Sequence, residues 1–365
     1  MTFPGSWDWR VAITTDNTKV DSSESNFPYY YDLSNIDSSN FWSNVQSDGG
    51  DLRVTSDEAG TTQLPLEVVA INTSSETGEI HFKDSTDSST NKTYYLWWKA
   101  SGSSESQPAV GASFGRNAVW SAYVVVHHLQ DTTGAVVDST GNYDAVNNGC
   151  TRGVAAKLSS GFSFDGSNDK VEINDDVIDV GLDSASAMSM SVWVKADVNP
   201  ADDTIAYVRT NGNNEGASIY ITTGNRLRIA GRSRASDSFQ NVVGTTPITS
   251  TTDWYYFGGV WNFGAGQLVA YVNGSQDAVG SASFGSSTLD YTSMYFELGN
   301  LAGGRYWNGL MDEFRVRLGI TSAGWFGTEH NMQDDNSSFW TTGTPVDVGG
   351  PGVVASRPLS FGGGL

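Results

Sequence analysis

Two acidic segments in the second half of the chain have the composition of a cation site or of strand-end caps. Asp165, Asn168 and Asp169 follow one another around an Asp-Gly turn. Asp312 lies on the predicted inward phase of segment 310–318, which also includes Leu318, while Glu313 and Arg315 are predicted to face water. A carboxylate on an apolar phase needs a cation or several hydrogen-bond donors to offset the cost of leaving water. Both readings, cation binding and capping of backbone N–H groups, remain open.

Residues with the spacing of a hydrolytic site are missing from the sequence. Retaining glycosidases need two carboxylates about 5–5.5 Å apart, and Asp312 and Glu313, as adjacent strand residues, should point to opposite faces. Glu297 stands alone, and no serine nucleophile elbow occurs. His127 and His128 have no metal-ligand spacing to an acid or cysteine. We therefore predict that the protein is not an enzyme and has no catalytic residues.

Aromatic and amide side chains before the last predicted strand are typical of carbohydrate recognition. The segment is Arg305, Tyr306, Trp307 and Asn308. An aromatic ring can cover the apolar face of a sugar while Arg and Asn bind its hydroxyls. We predict a glycan site there, with the neighbouring pair Trp325-Phe326 as a further candidate. The alternative is that Tyr306 or Trp307 closes the edge of a hydrophobic core.

Short alternating or aromatic segments between Gly, Ser, Asn and Asp clusters predict strands along the whole chain, and helical periodicity is almost absent. The fold class is therefore all-β. The predicted strands are Val11–Thr15, Phe27–Leu33, Leu52–Thr55, Leu66–Ile71, Glu79–Lys83, Thr93–Lys99, Tyr123–Leu129, Lys170–Ile173, Met188–Lys195, Ile205–Arg209, Ala217–Thr222, Arg226–Gly231, Trp254–Trp261, Leu268–Asn273, Met294–Leu298 and Leu310–Leu318.

A Ser- and Gly-rich stretch, Ala100–Gly115, divides the chain into two parts, each long enough for a core of its own. We predict a small β-sandwich domain over residues 1–118 and a second sandwich over residues 119–345. A Gly- and Pro-rich tail follows over residues 346–365. In the first domain, the runs Tyr29–Tyr31 and Tyr94–Trp98 place rings on both strand faces. We expect some of them to be exposed to a protein partner.

The composition restricts the classes of partner. The chain of 365 residues has 41 Asp and Glu against 20 Lys and Arg, which gives a net charge of −21. A surface with this much negative charge repels phosphate backbones, and we therefore expect no nucleic-acid partner. The acidity is also typical of a halophilic or marine host. No apolar run is long enough to insert in a membrane. Cys150 is the single cysteine, which we expect to be an inert, partly buried residue.

Residues from about 120 to 345 resemble the laminin-G-like, concanavalin A-like superfamily of jelly-roll sandwiches. Residues from about 6 to 118 resemble a β-domain of uncharacterised function, DUF2341, which is often found just upstream of laminin-G-like domains. The matching stretches of the second part are His128-Leu129, Asp138–Asn142, Phe162–Gly166, Val192–Lys195, Trp254, Tyr271–Gly274 and Gly309–Phe314. Those of the first part are Trp9–Val11, Phe41–Val45, Ser47–Val54, Leu64–Glu67 and Tyr94–Trp98.

The resemblance implies a lectin-like function and a set of side chains that bind a metal ion. In similar laminin-G-like domains an acid at the position of Asp312 often lies near the Phe-Asp-Gly turn. The implied Ca²⁺ site therefore consists of Asp165, Asn168, Asp169 and Asp312, since Ca²⁺ prefers oxygen ligands.

The first ten residues have neither the charged nor the apolar region of a secretory leader, so we expect no signal peptide. Our hypothesis is therefore a structural virion protein of a tailed phage or archaeal virus. It would be a capsid decoration, head-fibre or tail-fibre component on the virion surface, extracellular after lysis. We expect other virion proteins as partners, homo-oligomerisation, and attachment to host-surface glycans through the lectin-like domain. The alternative is a secreted carbohydrate-binding module of a cellular protein.

Overall fold

Antiparallel strands form most of the regular secondary structure, which confirms the predicted all-β class. The computed structural model describes residues 3–173, 181–210, 215–291, 294–301 and 304–349, so most of the predicted tail lies outside the described residues. The strands are β1 Trp9–Thr15, β2 Phe27–Asp32, β3 Arg53–Thr55, β4 Gln63–Leu64, β5 Leu66–Asn72, β6 Thr77–Asp84, β7 Thr93–Trp98, β8 Tyr123–His127, β9 Val146–Asn148, β10 Thr151–Ala155, β11 Ser160–Asp165, β12 Lys170–Glu172, β13 Ala187–Ala196, β14 Thr204–Thr210, β15 Glu215–Ile221, β16 Arg226–Gly231, β17 Gln240–Pro247, β18 Tyr255–Asn262, β19 Gln267–Val272, β20 Ser275–Ser281, β21 Met294–Leu298, β22 Asn308–Leu318, β23 Trp340–Thr342 and β24 Val346–Asp347.

Helices are few and short among the described residues. They are α1 Ser39–Asn44, α2 Arg116–Val119, α3 Ala323–Asp334 and α4 Asn336–Phe339, with 3-10 turns at Asn17–Lys19 and Leu33–Asn35. None of these described helices has the length and apolar character needed to cross a membrane.

The first domain is a sandwich of two antiparallel sheets. In the described chain one sheet runs in the order β23-β1-β7-β3-β4, with β24 also on β1, and the other runs β2-β6-β5. The tyrosines of β2, Tyr29, Tyr30 and Tyr31, are at most 4% exposed. The expected exposure of this run is therefore wrong. One strand face packs into the sandwich, and Tyr30 on the other face is covered by helix α3 through Met332.

The second domain is a jelly roll of two larger sheets. Over the described residues the first runs β10-β11-β22-β13-β18-β19-β20, with β8 on β22, and the second runs β17-β16-β15-β14-β21-β12-β9. Alternate residues of β13, such as Val192 and Val194, fill the core between these sheets. Trp193 points the other way and lies in a second core that joins the jelly roll to the first domain. The eight-stranded sheet is therefore buried on both faces.

Strand β22 contains a bulge that reverses its side-chain phase. Its pairing with β13 shifts register between Ser191 and Trp193, and Glu313 has a positive φ of 55°. The jelly-roll core consequently takes Met311 before the bulge and Phe314 after it. An extra residue in one strand produces this change because side chains alternate with a period of two.

Burial along β22 therefore differs from the prediction. Glu313 and Arg315, expected to face water, are each 1% exposed, whereas Leu318, expected inside, is 48% exposed. The physical reason is that the first domain and helix α3 cover the outer face of the sheet, which an isolated jelly roll would leave to solvent.

Helix α3 is the longest of the described elements that the predicted strands omit, which also include β9, β10, β11, β17, β20 and β23. Ser322 caps its first turn by accepting a hydrogen bond from the N–H of Trp325 at 2.9 Å. Trp325, Phe326 and Met332 are buried between the two domains. A serine followed by apolar residues at helical spacing is the local signal that could have identified this helix.

The chain returns to the first domain at its described end. Strand β23 pairs with β1, with Thr341 opposite Thr14, and β24 pairs with the start of the same strand. The expected second domain, residues 119–345, includes β23, which the structure adds to the first sheet. The two domains are therefore connected by backbone pairing as well as by side-chain packing.

Candidate functional site

The Phe-Asp-Gly turn holds its acids by hydrogen bonds to backbone groups. Asp165 accepts from the N–H of Ser167 at 2.8 Å, and Asp169 accepts from the N–H of Asp165 at 2.9 Å. Asn168 is exposed on the same turn, and its N–H also points to Asp165 at 3.4 Å. These hydrogen bonds are the ones expected when the acids cap backbone N–H groups, the alternative to cation binding that the sequence left open.

Asp312 lies apart from that turn. Asp165 pairs with Asn308, four residues before Asp312 on β22, which corresponds to a separation of about 13 Å along the strand. One oxygen of Asp312 accepts from the N–H of Leu158 at 2.8 Å, and Oδ1 has no partner among the described residues. Asp312 therefore shares no cation with the Phe-Asp-Gly turn, contrary to the set that the resemblance implies.

The four predicted glycan-binding residues have different environments. Trp307 is 1% exposed in the jelly-roll core, which contradicts its predicted role as a sugar platform. Tyr306 and Asn308 are half-buried, and Asn308 pairs with Asp165 across two strands. Arg305 is exposed and forms an ion pair with Asp202 at 3.2 Å. The further candidates Trp325 and Phe326 are each 1% exposed, so neither ring can stack on a ligand.

Arg305 lines a pocket that we call the arginine–tyrosine pocket, formed by Tyr220, Arg228, Arg232, Phe239 and Arg305. Its volume is about 320 Å³. The guanidinium carbon of Arg228 lies 4.7 Å from the centre of the Tyr220 ring, and that of Arg305 lies 5.8 Å from it. The Nε of Arg228 has no hydrogen-bond partner among the described residues.

The arginine–tyrosine pocket concentrates positive charge on an acidic protein. Three guanidinium groups converge on it, while the whole chain carries a net charge of −21. Guanidinium groups bind carboxylates and sulfates through paired hydrogen bonds, and aromatic rings pack on the apolar faces of sugars. The arrangement therefore suits an acidic ligand with an apolar face.

A second group of functional side chains lies between the two domains. We call it the interdomain cluster: Glu79, His81, His128 and Glu313, whose ligand atoms all lie within 4.8 Å of one another. Glu79 and His81 come from β6 of the first domain, His128 follows β8, and Glu313 sits at the bulge of β22. All four side chains are buried.

Hydrogen bonds surround the interdomain cluster. His128 Nδ1 lies 2.5 Å from Glu313 Oε1, and its Nε2 lies 3.3 Å from Glu67 Oε2. Arg315 donates to Glu313 and to Glu329, and Gln130 donates to Glu79. A cleft of about 360 Å³ opens onto this network. Its lining is Leu66, Glu67, Val68, Val69, Gln107, Pro108, Val110, Arg116, His128, Gln130, Asp131, Val137 and Ser139.

Burial and neighbouring charges change the ionisation of these groups. Burial raises the pKa of Glu79 well above its ordinary value, and the nearby Glu313 adds to that rise. Burial also lowers the pKa of His81. Burial opposes the charged form of Glu313, but His128 and Arg315 outweigh it and hold the Glu313 pKa well below its usual range. The pKa of His128 rises because Glu313 and Glu67 overcome the effect of burial.

Sequence spacing missed the interdomain cluster. Its members are separated by up to 234 positions, from residue 79 to residue 313. The acids that contact the ring of His128, Glu67 and Glu313, lie far from it in the sequence, so no local metal-ligand spacing could relate them. The pair Glu79-x-His81 on one predicted strand was the available signal, since alternate strand residues share a face.

Two further ionisable residues of the jelly roll, Glu297 and Cys150, are buried. Glu297 accepts hydrogen bonds from Tyr207 at 3.1 Å and from Arg209 at 2.8 Å, and also from Asn300. Cys150 is 5% exposed, and burial raises the pKa of its thiol. Both residues have the environment of structural groups.

Comparisons with known proteins concern the jelly roll. The curated proteins contain no match to the chain. A structure of botulinum neurotoxin type C is 16% identical with a TM-score of 0.45, covering 59% of this chain and 52% of that one, so the match spans about half of the neurotoxin chain. Domain 4 of AbnA, a GH43 extracellular arabinanase from Geobacillus stearothermophilus, is 19% identical with a TM-score of 0.42, covering 57% of this chain and 98% of that one. Residues 165–318 match the family model described as the concanavalin A-like lectin/glucanases superfamily, and the second domain of this chain has that jelly-roll fold.

Proposed function

We propose that the protein is a non-enzymatic, carbohydrate-binding protein whose jelly roll binds acidic glycans at the arginine–tyrosine pocket. The observation that carries the proposal is the placement of Arg228 and Arg305 over the ring of Tyr220, with Arg232 lining the same pocket. The lectin-like fold of residues 165–318 supports the same class of ligand.

The chemistry of the pocket favours an anionic sugar over a neutral one. Arg228 has a buried Nε without a partner among the described residues, and a donor left unpaired costs free energy until a ligand satisfies it. Arg305 shares its charge with the exposed Asp202, a pair that solvent screens. A uronic acid or sulfated sugar supplies the acceptor oxygens that these guanidinium groups need.

Titration calorimetry with defined polysaccharides tests this function. Heparin and polygalacturonate serve as acidic probes, and dextran serves as the neutral probe. We expect the acidic probes to bind and dextran not to bind. Arg228→Gln and Arg305→Gln should each weaken binding about tenfold, the effect of losing one charged hydrogen bond.

The matched control is Arg234→Gln. Arg234 lies on the same loop as Arg232 but pairs with Asp237 at 2.9 Å and does not line the pocket. The Arg234→Gln variant loses the same positive charge near the pocket but no group that lines it. Its affinity for the acidic probes should therefore stay within about twofold of the wild-type affinity. Equal binding of dextran, or unchanged affinity in both pocket variants, would overturn the proposal.

The biological setting that we propose is the surface of a virus particle, where the protein would attach to host glycans as a homo-oligomer. The support is the lectin-like fold of residues 165–318, which suits attachment to glycans. Antibody labelling of purified particles tests it. Labelling of the particles is the expected result, and recovery of the chain from the medium of uninfected cells would favour the secreted-module alternative.

A further inference from the structure

We propose that the interdomain cluster is a binding site for a transition-metal ion of the zinc class, and that the ion joins the first domain to the jelly roll. The site is distinct from the arginine–tyrosine pocket, and it goes beyond the proposed glycan binding.

The spacing of the donor atoms fits such an ion. Zn²⁺ binds histidine nitrogen and carboxylate oxygen at about 2.0–2.2 Å, so neighbouring donors of a tetrahedral site lie about 3.3 Å apart. In the cluster, Nε2 of His81 lies 2.9 Å from Oε1 of Glu79. Nδ1 of His128 lies 2.5 Å from Oε1 of Glu313 and 3.7 Å from Oε1 of Glu79. These distances lie on both sides of the tetrahedral value, so small shifts would bring four donors onto one ion.

The charge balance around the cluster calls for a cation. Arg315 is the buried guanidinium that contacts the network in the described chain. The buried acids around it are Glu67, Glu79, Asp312, Glu313 and Glu329. Buried carboxylates are stable when they are paired or coordinate a metal. His128 contacts Glu67, Glu79 and Glu313 and can supply a second positive charge, so two cationic side chains face these five acids. A divalent ion in place of the Nδ1 proton of His128 offsets more of this excess of acid.

The nitrogen of His81 that an ion would bind is Nε2, which faces Glu79. Nδ1 of the same ring is buried and has no hydrogen-bond partner among the described residues. Coordination through Nε2 would fix the ring proton on Nδ1.

The outer contacts of the cluster match those that support metal ligands. With Nδ1 of His128 on the ion, its Nε2–H can donate to Glu67, which is the carboxylate–histidine–metal arrangement found around zinc. Gln130 and Arg315 hold the second oxygens of Glu79 and Glu313, which leaves one oxygen of each for the ion. Two nitrogens and two oxygens favour Zn²⁺ over Ca²⁺, which takes six to eight oxygens.

The test uses the full-length chain, stripped with a chelator and then titrated with Zn²⁺ alone. We expect one ion per chain and a rise in melting temperature, because a ligand that binds only the folded state stabilises it. Glu79→Gln and His81→Gln should weaken binding by more than about tenfold. His330→Gln is the control, because this histidine lies on α3 outside the cluster.

Absence of stoichiometric Zn²⁺ binding, or full retention of affinity in both cluster variants, would overturn the proposal. If the variants fail to fold, the wild-type chain decides the question through Co²⁺ substitution and anomalous X-ray scattering. A tetrahedral Co²⁺ absorption spectrum and an anomalous peak between His81 and His128 support the site. A peak elsewhere, or no peak, contradicts it. Titration of the same chelator-stripped chain with the acidic polysaccharides measures glycan binding in the absence of metal. Failure of the glycan proposal can therefore be recognised independently of failure of the metal proposal.

Discussion

At the scale of single residues, the carboxylates of this chain have two kinds of environment. Those on turns, such as Asp165 and Asp57, accept hydrogen bonds from backbone N–H groups close in sequence. Those at the domain boundary, such as Glu79 and Glu313, also contact His128, which lies far from both of them in the sequence. Turn acids can be identified from local sequence because their partners lie within a few positions, whereas the interdomain acids cannot.

Asp57 gives a pH-dependent prediction at this scale. Burial opposes its charged form, but hydrogen bonds from Thr61 and Thr62 outweigh burial and lower the pKa of Asp57 to about 2. The unfolded value is about 3.9. The unfolded state therefore binds more protons between these values, so the stabilisation is complete above about pH 5 and is lost as the pH falls toward about 2.

The variant Asp57→Asn should lower the free energy of unfolding by about 1 kcal/mol at neutral pH, and the difference should shrink near pH 2. Urea unfolding at several pH values measures it. Glu58→Gln is the neighbouring control, since its exposed ion pair with Arg10 should contribute at most about 1 kcal/mol. A difference between wild type and Asp57→Asn that does not change with pH would contradict the assignment.

At the scale of elements, the position of helix α3 depends on close contacts with the hairpin β19–β20. Asn273 and Gly274 form its turn with φ of 49° and 74°, the left-handed conformation of a type I′ turn. A Cβ at Gly274 would lie 3.0 Å from the Cα of Gly327 on α3. The glycine therefore serves both the turn and the approach of the helix.

Gly274→Ala should destabilise the protein by more than about 1 kcal/mol, because alanine is strained at this φ and meets the helix backbone. Gly224→Ala is the matched control. It lies in the turn between β15 and β16 without a positive φ, and its nearest neighbour would be 3.7 Å away. The urea concentrations at the unfolding midpoints of the two variants measure the difference in stability. Equal midpoints would show that the contact between Gly274 and helix α3 does not contribute to stability.

At the scale of the whole molecule, one hydrophobic cluster spans both domains. It contains Tyr29 and Trp340 of the first sandwich together with Trp193, Tyr256 and Phe326 of the second part. Trp193 also donates a hydrogen bond to Gln333 at 2.6 Å. Because this shared core is continuous, we expect the two domains to unfold in one cooperative transition.

Trp340→Ala tests this coupling. The Trp340 ring lies 5.5 Å from that of Tyr29 and 5.7 Å from that of Tyr31, and its Nε1 donates to the Tyr30 carbonyl at 2.9 Å. Truncation should cost about 3–5 kcal/mol, and the first domain should then melt before the jelly roll in calorimetry.

Val346→Ala is the control for Trp340→Ala. Val346 lies on β24, which also pairs with β1, but its side chain is 48% exposed, so the wild-type transition should be kept. Two separate transitions in the wild-type protein would contradict the coupling.

Many of the strands of this protein could be predicted from local sequence. Alternating residues place β16 at Arg226–Gly231 and β21 at Met294–Leu298, as predicted, because the period of two and the flanking turn residues are local properties. The all-β class follows from them, whereas the jelly roll was implied by the resemblance to laminin-G-like domains. The capping reading of Asp165 was also open from sequence, since its partner is two residues away.

Which strand faces are buried, and which residues far apart in sequence come into contact, could be learned only from the three-dimensional structure. The bulge at Glu313 and the docking of α3 turned a predicted solvent face into an interior one. The same docking brought His81 and His128 to Glu313, and the folding of the second sheet gathered Tyr220 and Arg305. Such contacts depend on sheet topology and domain packing, which bring together residues that no local spacing relates.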